Sequence, residues 1–306
     1  MMKYTNYLLL LALACLWGPS FLFIKIAGVD MPPLTMAAFR VGIAALILGC
    51  FVFIIKGRFV RDSKFWMHVA ISGLFAQGLP FVLINWGEQY ISSGLAAILN
   101  GLTPLFTIVL ANFATKSDKI NPYKLGGSIL GFVGLCILLM PSLNNGFSGS
   151  TWGILAVVLA ACSYGIALVY SKTFLQNAPP LTAPTGQLIM STIYVLPLAL
   201  IFEKPHVLSY ALSSYVAIGF LAIMGTALAF IVYFTLLKRT NSSFVSQVTY
   251  LMPVFGVVLG TIFLNESLTS ILIIGGSVIL AGMALSNIKW NPRPKKMTDC
   301  QCLTAN

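Results

Sequence analysis

Apolar residues in this chain come in long blocks, not in the alternation of a half-buried strand or the single stripe of a surface helix. Ten blocks can be marked, roughly 7–27, 33–55, 66–87, 93–114, 122–140, 152–171, 182–202, 210–236, 243–264 and 270–288. Each approaches the ~20 residues that a helix needs to cross a hydrocarbon core about 30 Å thick. The connections are short; the longest polar stretches are 56–64, 141–150 and the tail from Lys289. The pattern predicts an all-α integral membrane protein with ten transmembrane helices. Pro104, Pro197 and Pro253 fall inside blocks. Membrane helices tolerate this because neighbours satisfy the carbonyls that a proline frees.

Composition excludes the soluble alternative. Of 306 residues, 58% are hydrophobic and 8% charged, with a mean hydropathy of +0.93. Soluble domains carry about 25% charged residues. Cys15, Cys50, Cys136 and Cys162 sit inside apolar blocks, where a thiol acts as a small hydrophobe. Cys300 and Cys302 form a lone pair in the tail with no histidine nearby, so neither a metal site nor a cofactor is expected.

Charge adds orientation. With both termini on one side, fifteen Lys and Arg residues fall on that side and only Lys204 on the other, leaving Lys25 and Arg40 within or at the rim of blocks. This bias predicts cytoplasmic termini. It also accounts for the net charge of +11 without a nucleic-acid partner, and the lipid bilayer is the partner implied.

The first block has a signal-peptide look, with Lys3 upstream and small residues at Ala12 to Cys15. It recurs, however. Ala14-Cys15-Leu16-Trp17-Gly18 returns as Ala161-Cys162-Ser163-Tyr164-Gly165, Lys25 as Lys172, and Pro32-Pro33-Leu34-Thr35 as Pro179-Pro180-Leu181-Thr182, all 147 residues on. Phe81 meets Phe230, Ser93 meets Ser242 and Pro104 meets Pro253 at an offset of 149. The ordered matches indicate a duplication, and a cleaved signal would have no reason to repeat. The domains predicted are residues 1–145 and 146–290, five helices each, with 291–306 as a cytoplasmic polar tail. Five is odd, so the second copy should be inverted. Inverted repeats build many secondary transporters, with the substrate site near the midplane between them.

Several stretches resemble the EamA domains of the drug/metabolite transporter superfamily: Trp17-Gly18 followed by Lys25, Arg40 in AAFRVGIAAL, NWGEQYISSGLAAILNGLTPLF from Asn85, and LLKRTNSSFVSQVTYLMPVFGVVLGTIFLNESLT from Leu236. The resemblance covers about residues 7–288. It implies ten helices around a central cavity formed by the first, third, fourth, sixth, eighth and ninth, and the export of amino acids or other small metabolites. It also implies a cell-membrane location, a bacterial inner membrane being expected. The halves differ at two matched places, Ser117 against Glu266 and Arg40 against Gln187.

Helical spacing independently marks a candidate substrate site. Gln77, Phe81, Asn85 and Glu88 share one stripe of the third span, and Thr226, Phe230 and Tyr233 form the matching stripe of the eighth. Asn100 and Thr103 lie three apart on the fourth, with Gln247 and Tyr250 likewise on the ninth. Trp17 and Tyr164 are equivalents on the first and sixth. Polar groups at this depth need partners or an aqueous cavity; interhelical hydrogen bonding is the plainer alternative. Lys25, Arg40, Glu88 and Lys172 are candidate gate or charge residues. Arg40 lies about 10 Å below the outer boundary, at 1.5 Å per residue. A tie from Arg40 to Glu88 or to a carbonyl is one reading and an anion-attracting gate the other. Lys25 and Lys172 could simply snorkel to the interface. The closely spaced glycines 127, 131, 256 and 260 read as packing.

The chain has no HExxH, GxSxG or P-loop, so an enzyme is not expected. A secondary transporter of small zwitterions by alternating access, as monomer or homodimer, is the expectation. The alternatives are a mover of lipid or hydrophobic drug-like cations, or a receptor that transports nothing. Glu88 is the one carboxylate on a stripe of candidate site residues. Either it carries a proton, or, stabilised by Arg40, it does not and the protein is a facilitator. The second is the expectation.

Overall fold

The computed structural model describes residues 4–55, 60, 62–114, 122–144, 149–175, 178, 181–205, 209–239, 248–286 and 288. Among the described residues there are helices and no strand. The helical segments are α1 (Tyr4–Trp17 and Ser20–Ala27), α2 (Pro33–Ile54), α3 (Ser63–Gly73, Leu74–Gly78, Leu79–Gly87) and α4 (Ser93–Asn100 and Thr103–Ala114). Next come α5 (Pro122–Asn144), α6 (Gly149–Phe174) and α7 (Thr182–Leu198 and Ala199–Glu203). They are followed by α8 (Leu212–Ala222, Ile223–Leu228, Ala229–Arg239), α9 (Val248–Leu264) and α10 (Ser270–Ser286). Seven helices among the described residues are long and apolar enough to cross a membrane, and α5, α9 and α10 contain shorter apolar stretches. The outward faces carry large apolar side chains such as Leu46, Phe53, Ile201, Phe202, Ile262 and Phe263. A soluble protein does not expose an apolar surface of that extent. The chain is an all-helical integral membrane protein.

The breaks in these helices have local causes. α1 is interrupted at Gly18-Pro19, where a Cβ on Gly18 would lie 2.8 Å from the Ala14 carbonyl and would strike Phe255 of α9. α4 is interrupted before Thr103-Pro104, since Pro104 cannot donate to the preceding turn; the Thr103 hydroxyl bonds the Asn100 carbonyl at 2.8 Å. The fourth span, expected to tolerate Pro104, is broken at Gly101-Leu102 into two helical pieces. In α3 a π-helical turn, Leu74–Gly78, precedes Pro80. The Ser163 hydroxyl from α6 bonds the Phe75 carbonyl of that turn at 2.8 Å. A second π-helical turn, Ile223–Leu228, starts 149 residues later in α8; there the Thr226 hydroxyl reaches back to Leu221 O at 2.8 Å.

Packing pairs α2 with α7, α3 with α6, α1 with α8, α4 with both α6 and α9, and α5 with α10. The α5–α10 contact is the closest backbone approach. A Cβ on Gly282 would lie 2.6 Å from Gly127 O, and one on Gly134 would lie 2.8 Å from Gly275 O. Small residues let membrane helices approach in this way.

One end of the bundle is stitched by carboxylates. Glu203, at the end of α7, accepts from Leu34 N (2.9 Å), Thr35 N (2.7 Å) and Thr35 Oγ1 (2.7 Å), capping α2. Glu266, after α9, accepts from Ser93 N (2.7 Å), Ser93 Oγ (3.0 Å) and Gly94 N (3.2 Å), capping α4. Asp30, after α1, accepts from Ala211 N and Ser214 Oγ, capping α8. Helix N-termini carry unpaired N–H groups and a positive dipole end, so a carboxylate is the fitting partner.

Two predictions follow from this packing. Gly282→Ile should lower thermal stability by about 1–3 kcal/mol, the usual cost of overpacking, read as an earlier melting transition of the protein in detergent. The second concerns Asp30, which the Ala211 N–H, and then the Ser214 hydroxyl, hold below the ordinary aspartate value of 3.8. Such a group binds more protons unfolded than folded. Its contribution is therefore full above the unfolded value and lost as pH falls through the lower folded one. Between about pH 5 and pH 3 the wild type should lose melting temperature more steeply than Asp30→Asn. Parallel acid limbs would contradict the cap.

Candidate functional site

Arg40 lies in the second turn of α2, 6% exposed. Its Nε donates to Thr226 Oγ1 at 3.0 Å, and its guanidinium sits over the Phe81 ring, 3.9 Å from the centroid. The π-helical turn of α8 carries Thr226, and α3 carries Phe81, just past its own π-helical turn. Of the readings open for Arg40, the tie to Glu88 is not made: both Glu88 oxygens lack a hydrogen-bond partner among the described residues. The reason is reach. Arg40 turns to the widened turn of α8, while Glu88 lies past the end of α3.

A counterpart occupies the other half. Gln187 of α7 lies 147 residues after Arg40, and Gln77 of α3 lies 149 before Thr226. Gln77 Nε2 donates to Gln187 Oε1 at 3.3 Å. Gln187 Nε2 in turn donates to Ser72 Oγ at 2.6 Å, and Ser72 and Ser171 hydroxyls meet at 2.7 Å. The Arg40–Thr226 and Gln187–Gln77 pairs thus sit at matching places, one charged and one neutral. Arg40 was picked out by the cost of its charge. Gln187 is marked in the sequence only as the residue matching Arg40, and Ser72 and Ser171 are not marked at all, because single uncharged polar residues inside apolar blocks look like ordinary glue. The offset to Arg40 was the available signal for Gln187.

The remaining candidates fall into groups. Asn85 donates from Nδ2 to Pro33 O at 3.1 Å, tying α3 to the start of α2, and its Oδ1 has no partner among the described residues. Asn100 is buried with Oδ1 likewise unpartnered, as is Gln77 Oε1. Thr103 is spent on Asn100 O. Trp17 and Tyr233 pack together at 5.8 Å between centroids. Tyr164 and Phe230 lie partly buried against the apolar core that contains Phe81, and Tyr164 also touches the cluster around Ile84 and Leu99. Lys25, a candidate gate residue with snorkelling as the plainer alternative, is half-buried and donates to the carbonyls of Glu88 and, at 2.8 Å, Ile91. Lys172 is exposed in the last turn of α6. Gln247 and the Tyr250 side chain lie outside the described residues. Among the described residues no group of His, Cys, Asp or Glu could hold a metal ion.

A buried cation and several half-satisfied amides, all carried by α2, α3 and α4 of the first half, can bind a polar solute that brings its own donors and acceptors. A fully satisfied network would only hold helices together.

Known proteins agree with a membrane-transport fold. A solved crystal structure matches with a TM-score of 0.67 over 92% of this chain and 97% of that one, at 20% identity. The "uncharacterized transporter YoaV" of Bacillus subtilis (strain 168) is 25% identical over 285 residues, 93% of this chain and 97% of that protein. The "uncharacterized inner membrane transporter YedA" of Escherichia coli (strain K12) is 25% identical over 278 residues, 90% of this chain and 88% of that protein. The sequence pattern of the EamA-like transporter family matches twice, at residues 5–140 and 151–288. With both halves matched, this multi-pass membrane protein belongs to the EamA-like transporter family.

Proposed function

We propose that this chain is a secondary transporter that exports small polar metabolites bearing a carboxylate, amino acids and related zwitterions foremost, by alternating access. In this reading ten spans form two inverted five-helix repeats, and the solute binds between them. Support for the inversion comes from the ends of equivalent helices. α1 ends with Lys25 on the carbonyls that close α3, whereas α6 ends with Tyr170 and Phe174 against His68 at the start of α3.

The observation that carries the substrate class is Arg40. It is buried, held in place by Thr226 and Phe81, and makes no hydrogen bond to a carboxylate among the described residues. A cation at such depth is costly to hold, about 2.5–3.5 kcal/mol on insertion scales. A solute carboxylate arriving at its free N–H edge would offset that cost and make the charge-assisted, planar pairing that guanidinium favours. The unpartnered oxygens of Gln77, Asn85 and Asn100 would accept from the ammonium or amide end of the solute. Alternation would use the two π-helical turns, whose extra residue loosens the regular ladder where α3 and α8 meet Gln187 and Arg40.

The test is uptake and counterflow of the twenty radiolabelled proteinogenic amino acids in proteoliposomes. At least one should move, and Arg40→Gln should raise its half-saturation concentration about tenfold or more, since a hydrogen bond to a charged group contributes about 1.5–3 kcal/mol. Transport of lipid or large hydrophobic cations with no movement of any zwitterion would overturn the reading. Asn85→Ala and Asn100→Ala should each weaken transport several-fold while leaving the melting temperature nearly unchanged. A large drop in melting temperature with normal transport per molecule would make these amides structural ties.

A further inference from the structure

Four acidic residues gather at the end of the bundle where α1, α3, α7 and α9 finish. Three of them are consumed by helix N-termini: Asp30 by α8, Glu203 by α2 and Glu266 by α4. Glu88 is different. It is 1% exposed, and neither carboxyl oxygen has a hydrogen-bond partner among the described residues.

We infer that Glu88 is a proton-binding site, loaded in the conformation seen here and emptied when this end of the bundle opens, so that it couples solute movement to a proton gradient. The inference rests on the transport reading above and adds its energy source.

The argument is one of partners. The charged groups that act on Glu88 are Lys25 from α1, Glu266 from the segment after α9, and Arg40 from α2. The Lys25 ammonium is spent on the backbone carbonyls of Glu88 and Ile91. Arg40 turns its Nε to Thr226 and its face to Phe81, and makes no hydrogen bond to Glu88. Glu266 is a like charge, itself bound to Ser93 and Gly94. Among the described residues no donor is bonded to the Glu88 oxygens. A bare carboxylate buried without donors carries a large desolvation penalty, whereas the neutral acid carries little. The facilitator expectation relied on Arg40 lying against this carboxylate, and that contact is absent.

The site also contains a means of release. The carbonyls that hold Lys25 belong to the turn that joins α3 to α4. A movement of that turn frees the ammonium, which then lies next to the carboxyl it now bypasses. The proton passes from Glu88 to solvent water, and the carboxylate left behind takes Lys25 as its counterion. Reclosure returns Lys25 to the carbonyls, and Glu88 takes up one proton from the opposite side of the membrane. One carboxyl carries one proton per cycle.

Two measurements test this. Dicyclohexylcarbodiimide, an apolar reagent that attacks the protonated carboxylic acid, should modify Glu88 in the purified protein at neutral pH. By mass spectrometry the adduct should exceed any at Glu203 or Glu266, decline at alkaline pH and vanish in Glu88→Gln. Labelling of Glu88 no faster than of Glu203 would overturn the inference. In proteoliposomes, accumulation of whichever labelled amino acid is carried should follow an imposed pH gradient, reaching about tenfold per pH unit for one proton exchanged. Glu88→Gln, which has the shape of the neutral acid, should lose that dependence and keep downhill counterflow. Wild-type accumulation that ignores the gradient would also overturn the inference. If no amino acid moves at all, the transport reading fails, and the carbodiimide labelling still decides Glu88 on its own.

Discussion

The fold depends on how helix N-termini are satisfied at one end of the bundle. A helix that begins at the edge of a membrane has unpaired N–H groups and a positive dipole end. In this chain those groups are met by carboxylates from distant sequence: Glu203 on α2, Glu266 on α4 and Asp30 on α8. Every one of these contacts joins one half of the chain to the other. The acidic residues are few, seven in 306, and three of them serve this purpose. The cap also dictates small neighbours. Gly260 of α9 lies where any Cβ would collide with the Glu266 carboxylate and the Ser93 hydroxyl.

Against that stitched end, the polar interior is asymmetric. Equivalent places in the two halves hold Arg40 with Thr226 and Gln187 with Gln77. Both pairs sit on π-helical turns at matching positions of α3 and α8. A π-helical turn inserts one residue and redirects the side chain that follows, which aims Gln77 and Thr226 at the facing helices. The charge is on one side only. A duplicated scaffold thus gives two similar polar pairs, while the substitution between them decides which one carries the charge.

Much of this was legible from the chain alone. Block hydropathy marked the membrane helices, because a ~30 Å apolar core demands ~20 apolar residues wherever a helix crosses. The repeat was legible because duplication preserves spacing; offsets of 147 and 149 link Arg40 to Gln187 and Gln77 to Thr226, the residues now seen at equivalent contacts. Burial of Gln77, Asn85 and Glu88 followed from their shared helical stripe. Partners were not legible. Spacing says which residues share a face, and says nothing about which distant helix that face meets. Glu203 and Glu266 lie more than 160 residues from the helices whose N-termini they cap, α2 and α4. Lys25 read as a snorkelling side chain, yet it binds the carbonyls that close α3. Arg40 and Glu88 read as a pair because each lacked another obvious counter-charge. Packing decided otherwise, placing Thr226 and Phe81 around the guanidinium and leaving the carboxyl buried, with no hydrogen-bond partner among the described residues. Hydropathy and periodicity are properties of one segment, set by the solvent around it. Pairing is set by which segments the folded bundle brings together, and only the tertiary structure decides that.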